Sequence, residues 1–193
     1  VEDLERYRPL NPYGLSKHKF DLHARDHGLL ERCVGLKYFN VFGPNEDHKG
    51  DMRSVVHKSF GQIRDTGKVR LFKSHRPDYE DGKQKRDFLY VKDAVRMTLF
   101  LAENSRANGL FNLGSGRART WLDLAHAIFS ALRREPEIEF IDMPEAIREK
   151  YQYFTEAKID KLCEAGYRDN LFGLEEAVAD YALNYLETDG RLG

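Results

Sequence analysis

Tyr13 and Lys17 stand four residues apart in the run Tyr13-Gly14-Leu15-Ser16-Lys17, and on a helix that spacing puts both side chains on one face. The pair has a chemical use. Removing hydride from an alcohol carbon requires a base for the hydroxyl proton, and a free phenol, with a pKa of about 10, is a poor one at neutral pH. An ammonium group beside the phenol favours phenolate and lowers that pKa by about one to three units. The same lysine can hydrogen-bond the ribose of a nicotinamide cofactor. The spacing alone is cheap, since Tyr79-Glu80-Asp81-Gly82-Lys83 repeats it in a stretch that holds Asp-Gly and reads as a loop. Setting separates the two copies.

For the first copy the setting is a helix start. Asn11 is placed as a cap with Pro12 at the first helical position, and the helix should stop near Gly28. The apolar run from Glu31 to Pro44, ERCVGLKYFNVFGP, reads as a buried strand at the distance expected of a β-α-β unit. Residues 45–50 are polar and loop-like. Residues 51–66 carry Met52, Val55, Val56, Phe60 and Ile63 at helical spacing, ended by Gly67. VRLF is a short strand, RPDYEDGKQK an exposed loop and DFLYV another strand, after which Asp93 is expected to cap the helix AVRMTLFLAEN.

GLFNLGSG reads as a strand running into a glycine turn, but Gly114-Ser115-Gly116 lacks a third glycine at the spacing of a dinucleotide-binding turn. It is either a plain strand-end turn or a ligand contact. Residues 120–134 form an amphipathic helix with Trp121, Leu122, Ala125, Ile128, Phe129 and Leu132 on its core face. IEFID is a strand, residues 156–165 a short helix and residues 174–187 a closing helix. Strands alternating with helices of this length imply an α/β fold with a largely parallel sheet.

Composition narrows the partners. The chain has 193 residues, 41% hydrophobic and 33% charged, which suits one domain or two intimately shared lobes with a sizeable core. The net charge of −1 gives no global field for nucleic acid or an acidic membrane, so phosphate binding must come from local groups. Cys33 and Cys163 have no CxxC partner or metal spacing and read as buried free thiols in a reducing compartment. His48, His57 and His75 show no metal-ligand spacing either, so no metal is expected. No run approaches the roughly 18 apolar residues of a membrane span, and VEDLERYRPL is no signal peptide. A cytoplasmic protein without a membrane partner is the expectation.

Four motifs occur in a telling order: Pro9-Leu10-Asn11-Pro12-Tyr13-Gly14-Leu15-Ser16-Lys17, Tyr38-Phe39-Asn40-Val41-Phe42-Gly43-Pro44, Arg86-Asp87-Phe88-Leu89-Tyr90-Val91-Lys92-Asp93 and Phe111-Asn112-Leu113-Gly114-Ser115-Gly116. In this order they resemble the extended short-chain dehydrogenases, a family that includes sugar-nucleotide 4-epimerases, 4,6-dehydratases and fucose synthases. The resemblance implies the C-terminal part of a doubly wound Rossmann-type parallel sheet with a smaller α/β substrate-binding lobe. Residues 1–43, 89–117 and about 152–172 would be the remainder of the NADP-binding domain. Residues 44–88, 118–151 and about 173–193 would form the lobe. The first strand-turn-helix of the cofactor fold, which holds the pyrophosphate, has no counterpart in the sequence, so this chain by itself is expected to be inactive.

Narrower likenesses lie in Asn45-Glu46-Asp47-His48-Lys49-Gly50-Asp51-Met52, Leu71-Phe72-Lys73-Ser74 and Tyr151-Gln152-Tyr153-Phe154-Thr155. These resemble the branch that epimerises ADP-linked heptose at carbon 6 for lipopolysaccharide core. By that resemblance Tyr13 is one acid/base and Lys49 the second, and Lys17, Val41 and Lys49 meet NADP. Asn40, Asp51, Lys58, Phe72, Lys73, Ser74, His75, Arg86 and Tyr151 would line the site for an ADP-sugar substrate. Asp51 stands where many relatives have Ser and Lys58 where some have His. A homo-oligomer is also implied. Without the resemblance, Lys49 is a solvated loop lysine, Arg86 a surface charge and Tyr151 a packed aromatic. Asn40 needs partners that backbone or ligand could supply, and His75 could touch phosphate or solvent. A UDP-hexose 4-epimerase or a 4,6-dehydratase would need Tyr13 and Lys17 but not Lys49. A nucleotide-sugar-binding module without turnover would need no proton-transfer pair.

Overall fold

The side chain of Asn11 accepts a hydrogen bond from the Gly14 N–H at 2.7 Å and, with Pro12 behind it, starts helix α1 (Pro12–Asp26). The structure is a computed structural model and describes residues 3–192. After α1 the chain forms strands β1 (Val34–Tyr38) and β2 (Asn40–Phe42), where the sequence suggested one buried strand. Phe39 divides them. Its N–H still bonds Leu113 O at 2.9 Å, but the Val41 N–H turns back to Phe39 O at 2.9 Å. The chain changes neighbours there: β1 runs parallel to β5 (Gly109–Leu113), and β2 runs parallel to β4 (Lys85–Tyr90). Apart from Phe42, both strands are half-buried or exposed rather than buried.

Two helix starts differ from expectation. Residues 47–52 make a 3₁₀ segment kinked at Gly50, and α2 (Val55–Thr66) begins only after Ser54, whose hydroxyl accepts from the His57 N–H. Met52 therefore lies outside the helix and is 84% exposed, instead of joining its core face. Gly67 ends α2 in the left-handed region, as its position suggested. Helix α3 (Val91–Glu103) follows β4 directly with Tyr90 at its cap, so Asp93 is not the cap. Asp93 sits buried in the first turn, where the helix dipole favours an acid. It pairs with Arg96 and accepts from the Phe172 N–H at 3.0 Å.

Helix α4 (Trp121–Ala131) has a full capping box, Thr120 and Asp123 each bonding the other's backbone N–H. The residues before it form β6 (Ala118–Thr120), antiparallel to β4 and not anticipated from the sequence. β3 (Val69–Phe72) pairs in parallel with β7 (Ile138–Ile141). The short helices are α5 (Glu145–Arg148) and α6 (Asp160–Glu164), the latter shorter than expected. α7 (Leu174–Tyr181) gives way to a π turn over Ala182–Leu186 instead of continuing as one helix. The strand pairings are largely parallel, as expected, but they are distributed over three small sheets, β1-β5, β2-β4-β6 and β3-β7, rather than one.

The core is in two parts. Phe60, Ile63, Leu124, Ile128, Phe129, Val178 and Tyr181 pack α2, α4 and α7 together. Met97, Leu101, Phe111, Leu113 and Leu162 pack α3 and α6 against β5. Full burial of each such large side chain contributes about 1.5–3 kcal/mol. Strand β4 serves both parts, because side chains alternate along a strand: Phe88 and Tyr90 enter the first and Leu89 the second. Asp180 of α7 ties this arrangement down, accepting from Tyr90 OH and Lys92 Nζ at 2.6 Å each and from Asn184 Nδ2 at 2.7 Å. The cysteines depart from expectation: both are free, but Cys33 is exposed and Cys163 only half-buried.

Candidate active site

A cleft of about 930 Å³ lies between the start of α1, the ends of β1 and β5, and the segment 146–158. Of the residues singled out by sequence, it collects Lys17, Arg86 and Tyr151. Asn11 and Gly14 of the α1 N-terminus line the same wall. Tyr13 is not among the lining residues; it is 73% exposed, with Lys17 Nζ 5.4 Å from its ring centroid. The helical pairing of these two side chains is therefore present, beside the cleft.

Arg86 is the most unusual group in the wall. It lies on β4, only 7% exposed, with its guanidinium 5.0 Å from the Tyr151 ring centre and 5.6 Å from that of Trp121. NH1 donates to Lys85 O at 2.8 Å, and among the described residues no carboxylate forms an ion pair with it. Burial pulls its pKa below the ordinary arginine value, which is what desolvation of a cation does without an anion close by. Two aromatic faces favour a flat cation, and the fork left open suits a phosphate or diphosphate. Tyr151 OH accepts from Trp121 Nε1 at 2.9 Å, and burial pushes this phenol up against the opposing pull of Arg86. Phe72, at the end of β3, meets the Tyr151 ring edge-on at 6.5 Å. Through Tyr153, whose ring lies 5.4 Å from Tyr151, the cluster reaches His75, whose N–H donates to Tyr153 OH at 2.9 Å; the neighbouring Ser74 N–H donates instead to Asp81 Oδ1 at 2.7 Å. Lys73 turns toward Asp142 at 3.4 Å.

The remaining candidates sit apart from this cleft. Lys49 and Asp51 occupy the corner before α2 and Lys58 lies in the first turn of that helix, all with exposed side chains, and Lys58 Nζ bonds Asp51 O. That corner is anchored by buried Glu46, which accepts from Ser54 N–H at 2.7 Å, Ser54 Oγ at 2.6 Å and Tyr181 OH at 2.9 Å. His57 hydrogen-bonds Asp47 and holds its carboxyl below the usual range. Asn40 and Val41 are exposed on β2. The glycine turn after β5 is accounted for by Asp87, which is wholly buried and accepts from Ser115 N–H, Ser115 Oγ, Gly116 N–H and Ala157 N–H at 2.6–3.0 Å. A Cβ on Gly114 would lie 2.4 Å from Ala157 Cβ. The turn is a strand-end turn filled by a carboxylate. Among the described residues no His, Cys, Asp or Glu group is arranged to hold a metal ion, and no helix is long and apolar enough to cross a membrane.

Sequence reasoning missed three participants. Asp21 pairs with Lys37 in the cleft wall, and its place one turn beyond Lys17 could have flagged it. Asp87 follows Arg86, and strand alternation could have placed it on the opposite face. Trp121 packs against the core as its helical position suggests, but a half-buried indole also needs a partner for its N–H, here Tyr151 OH.

A model of the NAD dependent epimerase/dehydratase family matches residues 1–114. The chain belongs to this family. Its relatives include the ADP-L-glycero-D-manno-heptose-6-epimerases of Nitratidesulfovibrio vulgaris strain DP4, 55% identical over 94% of this chain and 56% of the relative, and of Fusobacterium nucleatum, 44% identical over 96% and 58%. The chain thus spans little more than half the length of the curated family members it matches. Among solved structures, the Helicobacter pylori ADP-L-glycero-D-manno-heptose-6-epimerase superposes with a TM-score of 0.76 at 27% identity, over 92% of this chain and 52% of that one. A Methanobrevibacter ruminantium UDP-N-acetylglucosamine 4-epimerase gives a TM-score of 0.79 at 23% identity over 97% and 57%, a likeness of fold.

Proposed function

We infer that the intact protein epimerises ADP-D-glycero-D-manno-heptose to ADP-L-glycero-D-manno-heptose at carbon 6, using bound NADP, as a step toward lipopolysaccharide core. The observation that carries this is Arg86, a buried guanidinium lying against the Tyr151 and Trp121 rings with no acidic partner among the described residues, in the same cleft as Lys17. It is a place for a diphosphate beside a proton-transfer pair. The heptose assignment is supported by the 55% and 44% identical relatives, which carry that name.

Tyr13 would take and return the proton of the sugar carbinol, and Lys49 would serve as the second acid/base on the opposite face. Lys17 would hold a ribose, while Val41 and Lys49 would meet the nicotinamide end of the cofactor. The donor set suits that end. The Ser115 and Gly116 amides are already bonded to Asp87 and would not take the pyrophosphate. Bound NADP supplies reversible hydride acceptance at the sugar carbon. Asn40, Asp51, Lys58, Phe72, Lys73, Ser74, His75, Arg86 and Tyr151 would contact the ADP-sugar. The two parts of the core would correspond to the cofactor domain and the substrate lobe, and a cytoplasmic homo-oligomer goes with this assignment. The test is to supply the intact protein with ADP-D-glycero-D-manno-heptose and follow inversion at carbon 6 by NMR. Turnover of UDP-glucose with none of the heptose would overturn the assignment.

A further inference from the structure

Trp121 is the first residue of α4, and both its backbone and its indole have partners. The capping box at Thr120 and Asp123 sets the helix start. Its backbone N–H donates to Gln84 O at 3.2 Å, two residues before Arg86 on the same chain segment. β6, which ends one residue earlier, is hydrogen-bonded to β4 with Arg86 opposite Arg119. The ring meets Phe88 edge-on at 5.1 Å. From this fixed position it presents one face toward Arg86 and its only N–H to Tyr151 OH, 2.9 Å away.

We propose that Trp121 is a positioning residue for diphosphate recognition, acting through Tyr151 and Arg86; this rests on the nucleotide-sugar assignment above. A phenol hydroxyl has one proton to donate and oxygen lone pairs that accept. Once the oxygen takes the indole N–H, rotation of the O–H is restricted, and its proton is left for an acceptor in the cleft. A phosphate oxygen is such an acceptor. The same indole lies 5.6 Å from the Arg86 guanidinium carbon, so the arginine fork and the phenol proton are aimed together, and less ordering is left to the moment of binding. Trp121 touches no ligand in this scheme. It removes freedom from two groups that do.

The coupling can be measured with ADP as the probe and the intact protein. Trp121→Phe keeps an aromatic face under Arg86 but removes the N–H. It should raise the ADP dissociation constant about three- to tenfold, the scale of one hydrogen bond. In a Tyr151→Phe background, where no hydroxyl remains to be aimed, the same substitution should change affinity less than twofold. Such non-additivity distinguishes positioning from simple loss of packing. Tyr151→Phe leaves the Trp121 ring and its contact with Phe88 in place, so it serves as the single variant for comparison should Trp121→Phe fold poorly: it must then lower ADP affinity without lowering the melting temperature by more than a degree or two. Equal fold-changes for Trp121→Phe in both backgrounds, or unchanged ADP affinity in either single variant, overturn the inference. A wild-type protein that does not bind ADP overturns the nucleotide-sugar assignment itself.

Discussion

The Tyr13 hydroxyl group belongs to a side chain that is almost entirely outside the packed core, so removing it should cost function and little else. Tyr13→Phe in the intact protein is expected to keep its fold and cofactor content while turnover falls by about 10²-fold or more, the contribution of a positioned acid/base; steady-state kinetics and circular dichroism check both halves. Lys49 is a sharper case. Its ammonium stands in a corner distinct from the Arg86 cleft, so Lys49→Met should reduce single-turnover epimerisation far more than it reduces ADP-sugar affinity. A collapse of affinity with normal chemistry would make it a binding residue only. At this scale the sequence was readable where chemistry imposes spacing: the Tyr13–Lys17 pair needs nothing but a helix. It was unreadable where a partner comes from far along the chain, as with the indole of Trp121 meeting Tyr151 thirty residues on.

Elements were legible where their ends carry local signals. Asn11-Pro12 and the Gly67 stop fell where capping chemistry puts them. Asp93 misled because an acid is stabilised anywhere in the first turn, and here Arg96 and the Phe172 N–H claimed its oxygens. The break at Phe39 and the existence of β6 depend on which strand lies alongside, which no local pattern reports. The Asp180 lock between α7, β4 and α3 was equally invisible, and it makes a testable pH device. Burial alone would raise the Asp180 carboxyl, but hydrogen bonds from Lys92, Tyr90 and Asn184 outweigh it and hold the group below the usual aspartate range. A carboxyl whose folded pKa is depressed stabilises fully above its unfolded pKa of about 3.9 and loses that contribution as pH falls through the folded value. Asp180→Asn should therefore destabilise by about 1–3 kcal/mol at neutral pH and flatten the fall in melting temperature below about pH 4.

For the molecule as a whole, the question is how much of a dinucleotide site these residues assemble. One N-terminal amide each of α1, α2 and α4 is taken by Asn11, Ser54 and Thr120, and the Ser115 and Gly116 amides of the glycine turn by Asp87. Lys17 and the strand ends near Asn40 offer a few hydrogen bonds at about 1 kcal/mol each, short of the cost of immobilising so large a ligand. The 193-residue chain titrated with NADP is expected to show no saturable binding at micromolar concentrations; micromolar affinity would mean that the cofactor site lies elsewhere.

Strand β4 sends Phe88 and Tyr90 into one part of the core and Leu89 into the other. Neither part can come apart locally without dragging on the same three residues. Partial openings should thus begin at outlying pieces such as β3-β7 or α6 and stall before they reach this strand. Amide hydrogen exchange would display it: the Phe88–Tyr90 amides should be the slowest in the molecule and exchange only through global unfolding, with a denaturant dependence equal to that of the complete transition. Faster exchange at Leu89 than along α4 would mean that the two halves melt separately.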